Sequence, residues 1–177
     1  MKIIVCVKQV PDTTEIKINP ETGTLIRDGV PSILNPDDAN ALEQALEVKD
    51  SQPDTEVVVV TMGPPQAKEM LRECLAMGAD DAVLLSDRAL GGSDTWATSI
   101  AVAAGIMTVG TCDLIFAGRQ AIDGDTAQVG PQVAEKLGIP QVTYVKDFKL
   151  EGDYAIVKRA LEDGYEELKV KLPCVLT

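Results

Sequence analysis

The chain has 177 residues, 45% of them apolar and 25% charged, enough for one domain with a real core. Its 28 acidic residues outweigh 16 basic ones, and the net charge of −12 disfavours a nucleic-acid surface or an anionic membrane as partner. Histidine is absent, which removes the commonest general base and the commonest zinc ligand, and no apolar run reaches the ~18 residues of a membrane span.

Lys2 to Val7 reads as a buried strand that starts straight after Met1, with no secretory leader. Four scattered cysteines, Cys6, Cys74, Cys112 and Cys174, form no CxxC pair. They read as small core residues in a reducing cytoplasm, so the expected location is cytoplasmic. Lys8 to Asp12 reads as a loop. Glu15 to Gly29 alternates around Pro20-Glu21-Thr22-Gly23 and predicts a surface hairpin. Asn35-Pro36 is a helix start, and Ala39, Leu42, Ala45 and Leu46 carry the helical spacing to Asp50. Glu56 to Thr61 is a nearly pure valine strand, Gln66 to Met77 a helix stopped by Gly78, and Asp81 to Leu85 a strand. A small-residue helix follows over Thr95 to Val109, then strands at Leu114 to Ala117 and Val142 to Val145.

Strands that are continuous apolar runs, alternating with helices, predict a doubly wound parallel sheet in a single α/β domain. After Val145 the pattern changes to alternating segments around Glu151-Gly152-Asp153, an antiparallel appendage over 145–177. The chain ends at Thr177 inside an apolar run, which suggests a chain completed by further sequence.

The stretch Asp113 to Gly138 organises the functional reading. A short strand leads to a polar loop, Gly118 to Asp125, and then Val129, Val133 and Leu137 mark one helix face. Asp125 and Thr126 stand where an N-cap is expected. Strand, small-residue loop and helix N-terminus together suit a phosphate, although ordinary βα turns share the pattern. Thr126 to Val129 would then donate hydrogen bonds to it. Gly124 and Gly130 would allow close ligand approach or a positive φ. Asp123 and Asp125 are explained most simply by caps and turns, because carboxylates repel a phosphate. Arg119 and Lys8 face either the phosphates or solvent. Asp37 and Asp38 are first-turn charges that complement the helix dipole. Loops after Cys6, Met62 and Ala117 converge at the carboxyl end of the sheet, where a nucleotide would sit if the strands of the first and third loops are neighbours. There is no nucleophile–base pair, no metal cluster, no Walker A loop and no GxGxxG, so redox chemistry would need a bound cofactor.

Four stretches together resemble the β subunit of electron transfer flavoproteins: Val7 to Thr13, Leu34 to Leu46, Met62 to Asp80 and Ala117 to Val145. The resemblance runs over essentially the whole chain. It implies an adenine-nucleotide-hydrolase-like (Rossmann-like) three-layer α/β/α fold with the five parallel strands in the order 3-2-1-4-5. It also implies a heterodimer with an α subunit. In the conventional branch the β subunit holds AMP; in the electron-bifurcating branch the same site holds the ADP part of a second FAD, which takes hydride from NADH. The form of the last stretch resembles the bifurcating branch. Nucleotide contacts carried over by the resemblance are Cys6, Lys8, Asn35 and the residues up to Asp38, Met62 and Gly63, then Gly118, Arg119, Gln120, Ala121, Asp123, Gly124, Asp125, Thr126, Ala127, Gln128 and Val129. The family's region for docking an acyl-CoA dehydrogenase and embracing the α subunit would follow Thr177. Without it the fragment is expected to retain FAD poorly. Two other classes stay open: a nucleotide-holding structural subunit with AMP and no redox role, and a nucleotide-binding module like the universal stress proteins.

Overall fold

The computed structural model describes residues 1–12, 18–21 and 31–177. The hairpin expected over Glu15 to Gly29 lies outside the described residues except for 18–21. The elements of the main unit are β1 (Lys2–Cys6), β2 (Gln9–Pro11), β3 (Ser32–Leu34), α1 (Pro36–Ser51), β4 (Glu56–Met62), α2 (Ala67–Met77), β5 (Asp81–Leu85), α3 (Thr95–Val109), β6 (Leu114–Ala117), α4 (Val129–Leu137) and β7 (Gln141–Val142). β8 (Val145–Glu151), β9 (Tyr154–Leu161), β10 (Gly164–Lys171) and β11 (Cys174–Leu176) follow.

A six-stranded sheet in the order β5-β4-β1-β6-β11-β7 forms the centre, and every pairing in it is parallel. Alternate residues of each strand enter opposite layers. Ile3, Val5, Val57, Val59, Leu114 and Phe116 pack with Ala41, Leu42 and Ala45 of α1 and Met70 and Leu71 of α2. Ile4, Val60, Ile115 and Val175 pack with Val102, Ala103 and Ile106 of α3 and Val133 and Ala134 of α4. Both faces are covered, which is why the strands read as unbroken apolar runs; Val57 to Val60 are all at most 1% exposed.

The expected order 3-2-1-4-5 is present with one addition. β11, from the end of the chain, lies between β6 and β7 and parallel to both. Cys174, Val175 and Leu176 are fully buried there, so burial of an apolar tripeptide draws this segment out of the appendage and into the central sheet. The rest of the appendage is a three-stranded antiparallel sheet, β10-β9-β8. Its inner face packs Ala155 and Val157 into the first core layer, and Phe148 meets Phe116 with ring centroids 5.2 Å apart.

Two local expectations change. Residues 8–12 are not merely a loop: β2 pairs antiparallel with β3, Val10 opposite Ile33, and Val10 is fully buried. The strand expected over Val142 to Val145 is broken at Tyr144, which has φ 57, so that Val142 ends β7 and Val145 opens β8. Gly78 ends α2 as expected, with φ 134 and its N–H bonded to Leu75 O.

Candidate functional site

Because β4, β1 and β6 are adjacent, the loops that follow them meet at one edge of the sheet. The chain runs outward from β1 to β4 and β5, then returns to β6 on the other side. The crevice between β1 and β6 is therefore the switch point of the sheet.

Asn35 and Asp38, at the start of α1, tie this edge together. Asp38 is 7% exposed, and its carboxylate accepts the backbone N–H of Lys8 at 2.9 Å and of Gly118 at 3.0 Å. Burial pushes the Asp38 carboxyl up to about 7, with Asp37 adding to the rise and hydrogen bonds from Asn35, Gly118 and Lys8 opposing it. Asn35 is wholly buried. Its amide donates to Gln120 O at 2.8 Å and accepts from Ile122 N–H at 3.1 Å. These side-chain polar atoms, expected at the nucleotide, are occupied within the chain. Gly118 is required here for steric reasons, since a Cβ on it would lie 2.3 Å from Asp38 Oδ1 and 2.7 Å from the Asp37 carbonyl carbon.

The charges left open by the sequence have partners. Lys8 Nζ is 2.6 Å from Asp123 Oδ1, and the Asp123 side chain is only 3% exposed. Arg119 Nε is 3.6 Å from Asp37 Oδ2, both groups being partly exposed. Gln120 donates its side-chain amide to Asp125. The acids of the β6 loop are thus neutralised by Lys8 or engaged by Gln120, which answers much of their repulsion toward an anion.

The N-cap expected at Asp125 or Thr126 is corrected by the structure. α4 begins at Val129, its N-cap is Gln128, and no side chain caps it. The reason is local backbone: Asp125 and Ala127 adopt φ of 52 and 53, left-handed conformations that turn the chain before the helix can start. Neither Gly124 nor Gly130 has a positive φ. A Cβ on Gly124 meets nothing within 4 Å, so that site is open. At Gly130 a Cβ would lie 2.7 Å from the Thr177 side chain, so the close approach there is made by the end of β11.

Thr95 and Gln132 are contributors the sequence reading missed. Thr95 donates its hydroxyl to the Gln128 amide oxygen at 2.9 Å, which fixes the α4 N-cap against the start of α3. Gln132 Oε1 is buried and has no partner. Their only signal in the chain is polarity at helix starts, which does not reveal that the two starts adjoin.

Across the crevice, Met62, Gly63, Thr61 and Pro64 line a small cleft with Lys8 to Pro11, Ser32 and Ala67. Cys6 lies at the root of this edge. Burial pushes its thiol up to about 12, and burial also raises Cys74 and Cys174 to about 11, so none is an activated nucleophile. Among the described residues no cluster of three metal-ligating side chains occurs, and no helix is long and apolar enough to cross a membrane.

The arrangement fits an anionic nucleotide. The N-terminus of α4 has no acidic residue in its first turn and no side-chain cap, so no side chain of the chain engages the N–H groups of Val129 and Gly130 (Pro131 has none) at the positive end of the helix dipole. Gln132 Oε1, unpartnered in the same first turns, is an acceptor and would meet a donor group of a ligand rather than its phosphate. A separate small cleft at the β1 and β4 exits is lined by Lys8 to Pro11, Ser32, Thr61 to Pro64 and Ala67.

The model of the electron transfer flavoprotein domain matches residues 22–177. This chain belongs to the electron transfer flavoprotein family. It is 70% identical over all 177 residues to the caffeyl-CoA reductase-Etf complex subunit CarD of Acetobacterium woodii, covering 68% of that protein. It is 63% identical over the same length to the electron transfer flavoprotein subunit beta of Clostridium acetobutylicum, again covering 68%. Against the acryloyl-CoA reductase electron transfer subunit gamma of Anaerotignum propionicum it is 58% identical over 180 aligned residues, covering 67%. The whole chain aligns in each case and spans about two thirds of the relative's length.

Proposed function

We propose that this β-type electron transfer flavoprotein chain holds an adenine nucleotide at the β1–β6 crevice and works with an α-type subunit. The nucleotide is FAD, bound through its ADP part, with AMP as the alternative occupant. The single observation that carries this reading is the uncapped, acid-free N-terminus of α4 at the switch point of the sheet. Backbone N–H groups at Thr126 to Val129 would face the phosphates, and the base would enter the cleft between Lys8 and Met62–Gly63. Lys8 and Arg119, paired with Asp123 and Asp37, would stand at its rim.

A flavin bound there supplies the electron chemistry; the chain binds and orients it. The protein's own groups offer no substitute, since it lacks histidine and the buried thiols are held protonated. The names of the relatives, a caffeyl-CoA reductase complex subunit and an acryloyl-CoA reductase subunit, support a flavoprotein acting on acyl-CoA thioesters as the redox partner. NADH as electron donor, and membership of the bifurcating branch, are part of the same proposal. Trp96, Ile100 and Met107 leave an apolar stripe of α3 open to solvent, a surface of the kind a second subunit covers.

The test is to purify the chain with its α-type subunit, denature the complex and identify the released nucleotides. Two FAD per heterodimer is the expected result for a subunit of its relatives' full length. One FAD and one AMP places the protein in the conventional branch. Release of no adenine nucleotide beyond the α-subunit flavin overturns the site.

A further inference from the structure

Asn35 occupies the N-cap of α1, yet its side chain makes no cap bond. An asparagine at this position ordinarily uses its oxygen on the first turn of its own helix. Here the amide is diverted to the β6 loop, where it holds both Gln120 O and Ile122 N–H, residues 85 and 87 positions away. One turn later Asp38 grips Lys8 N–H and Gly118 N–H, joining the exits of β1 and β6. A Cβ on Gly118 would overlap Asp38 Oδ1, so nothing else fits between them.

We propose that Asn35 and Asp38 are positioning residues: they act as a two-point clamp that sets the shape of the loop from Gly118 to Ile122, and through it the backbone that faces the phosphate at α4. They do this without contacting the nucleotide. The inference rests on the nucleotide site proposed above.

The clamp acts unequally on the two halves of that site. The β1 exit has further ties, since Asn35 N–H donates to Lys8 O at 2.9 Å and Val7 N–H to Val60 O at 3.0 Å. The first five residues of the β6 loop are joined to α1 by these two side chains at three points, Gly118, Gln120 and Ile122; their other ties among the described residues are the partly exposed Arg119–Asp37 pair and bonds within the loop itself, from Gln120 to Asp125 and from the N–H groups of Gly124 and Asp125 to Ala121 O. Loosening the clamp therefore disorganises the phosphate side and spares the base side.

The experiment compares AMP with adenosine by calorimetry on this chain. Asp38→Asn keeps the shape but presents an amide N–H to one of two N–H donors. Asn35→Ala removes both bonds to the loop. Val157→Ala, in the remote antiparallel sheet, controls for a general loss of stability. Both clamp variants are expected to lose at least tenfold in AMP affinity while adenosine changes less than twofold, and Val157→Ala to leave both unchanged. If the wild-type chain binds AMP but the clamp variants bind it as tightly, or lose AMP and adenosine equally, the clamp is wrong and the site stands. Failure of the wild-type chain to bind AMP at all removes the site and this inference with it.

Discussion

The helices α1 and α4 both begin beside the end of β6, and they are finished in different ways. α1 carries Asp37 and Asp38 in its first turn, with Asn35 before it, and these side chains bond the neighbouring loops or Arg119. α4 has no acid in its first turn and no side-chain cap. A helix N-terminus attracts negative charge whether it comes from the chain or from a ligand. At α1 the chain provides the charge and converts it into tertiary structure. At α4 the chain withholds it, and the site left over is the one that suits a phosphate.

The largest effect expected from breaking this contrast is at Gly118. Gly118→Ala places a methyl 2.3 Å from Asp38 Oδ1 and against α1 backbone, which cannot yield as a flexible side chain would. A loss of about 3 kcal/mol is expected, read as a lower midpoint in urea unfolding.

Next is the pH dependence carried by Asp38. Its carboxyl titrates near 7 in the folded chain against an ordinary 3.8, because of burial first. Between these values the folded state holds a proton that the unfolded state has released, so this residue favours folding more as pH falls from 7 toward 4, and its contribution is lost as pH rises through that window. Urea midpoints at pH 5.5 and 8, wild type against Asp38→Asn, measure it. The variant should lack this part of the slope; identical slopes would show that Asp38 titrates as an ordinary carboxylate.

A carboxylate can also be added where the chain omits one. Gln128→Asp supplies a cap and a first-turn charge to α4, worth about 1 kcal/mol less the bond from Thr95. The nucleotide-free chain should gain slightly in thermal stability while AMP affinity falls. Opposite signs are the signature; a change in stability alone would mean that no anion uses this end.

The smallest effect is at Arg119, whose ion pair with Asp37 is long and partly exposed. Arg119→Ala should change stability by less than about 0.5 kcal/mol. A loss of AMP affinity in that variant would show that the guanidinium reaches the phosphate, and unchanged affinity that it serves only Asp37.

Much of the architecture was legible along the chain. The valine run of β4, the helical spacing in α1 and α4, and the glycine stop after α2 depend on residues within one or two turns of each other, so periodicity exposes them. The start of α4 was misplaced because Asp125 and Thr126 resemble a cap, and only the left-handed backbone at Asp125 and Ala127 shows that the chain turns first. The strand pair β2–β3 was missed because each partner has only three residues and their pairing crosses more than twenty positions.

By itself the sequence determined the class of fold, the succession of strands and helices, and the flavoprotein family, because burial on both sheet faces and helical amphipathicity write themselves into nearby residues. Tertiary structure decided what Asn35, Asp38, Gly118 and Gly130 touch within the chain. Asn35 reads as a helix start, Asp38 as a first-turn charge and Gly130 as a place for close ligand approach, yet Asn35 and Asp38 bond a loop some 80 residues away, Gly118 makes room for Asp38, and Gly130 makes room for Thr177. It also decided that β11 enters the sheet between β6 and β7. Such contacts join residues far apart in the chain, and a side chain's hydrogen-bond partner is set by what folding brings within 3 Å of it, which no local pattern records.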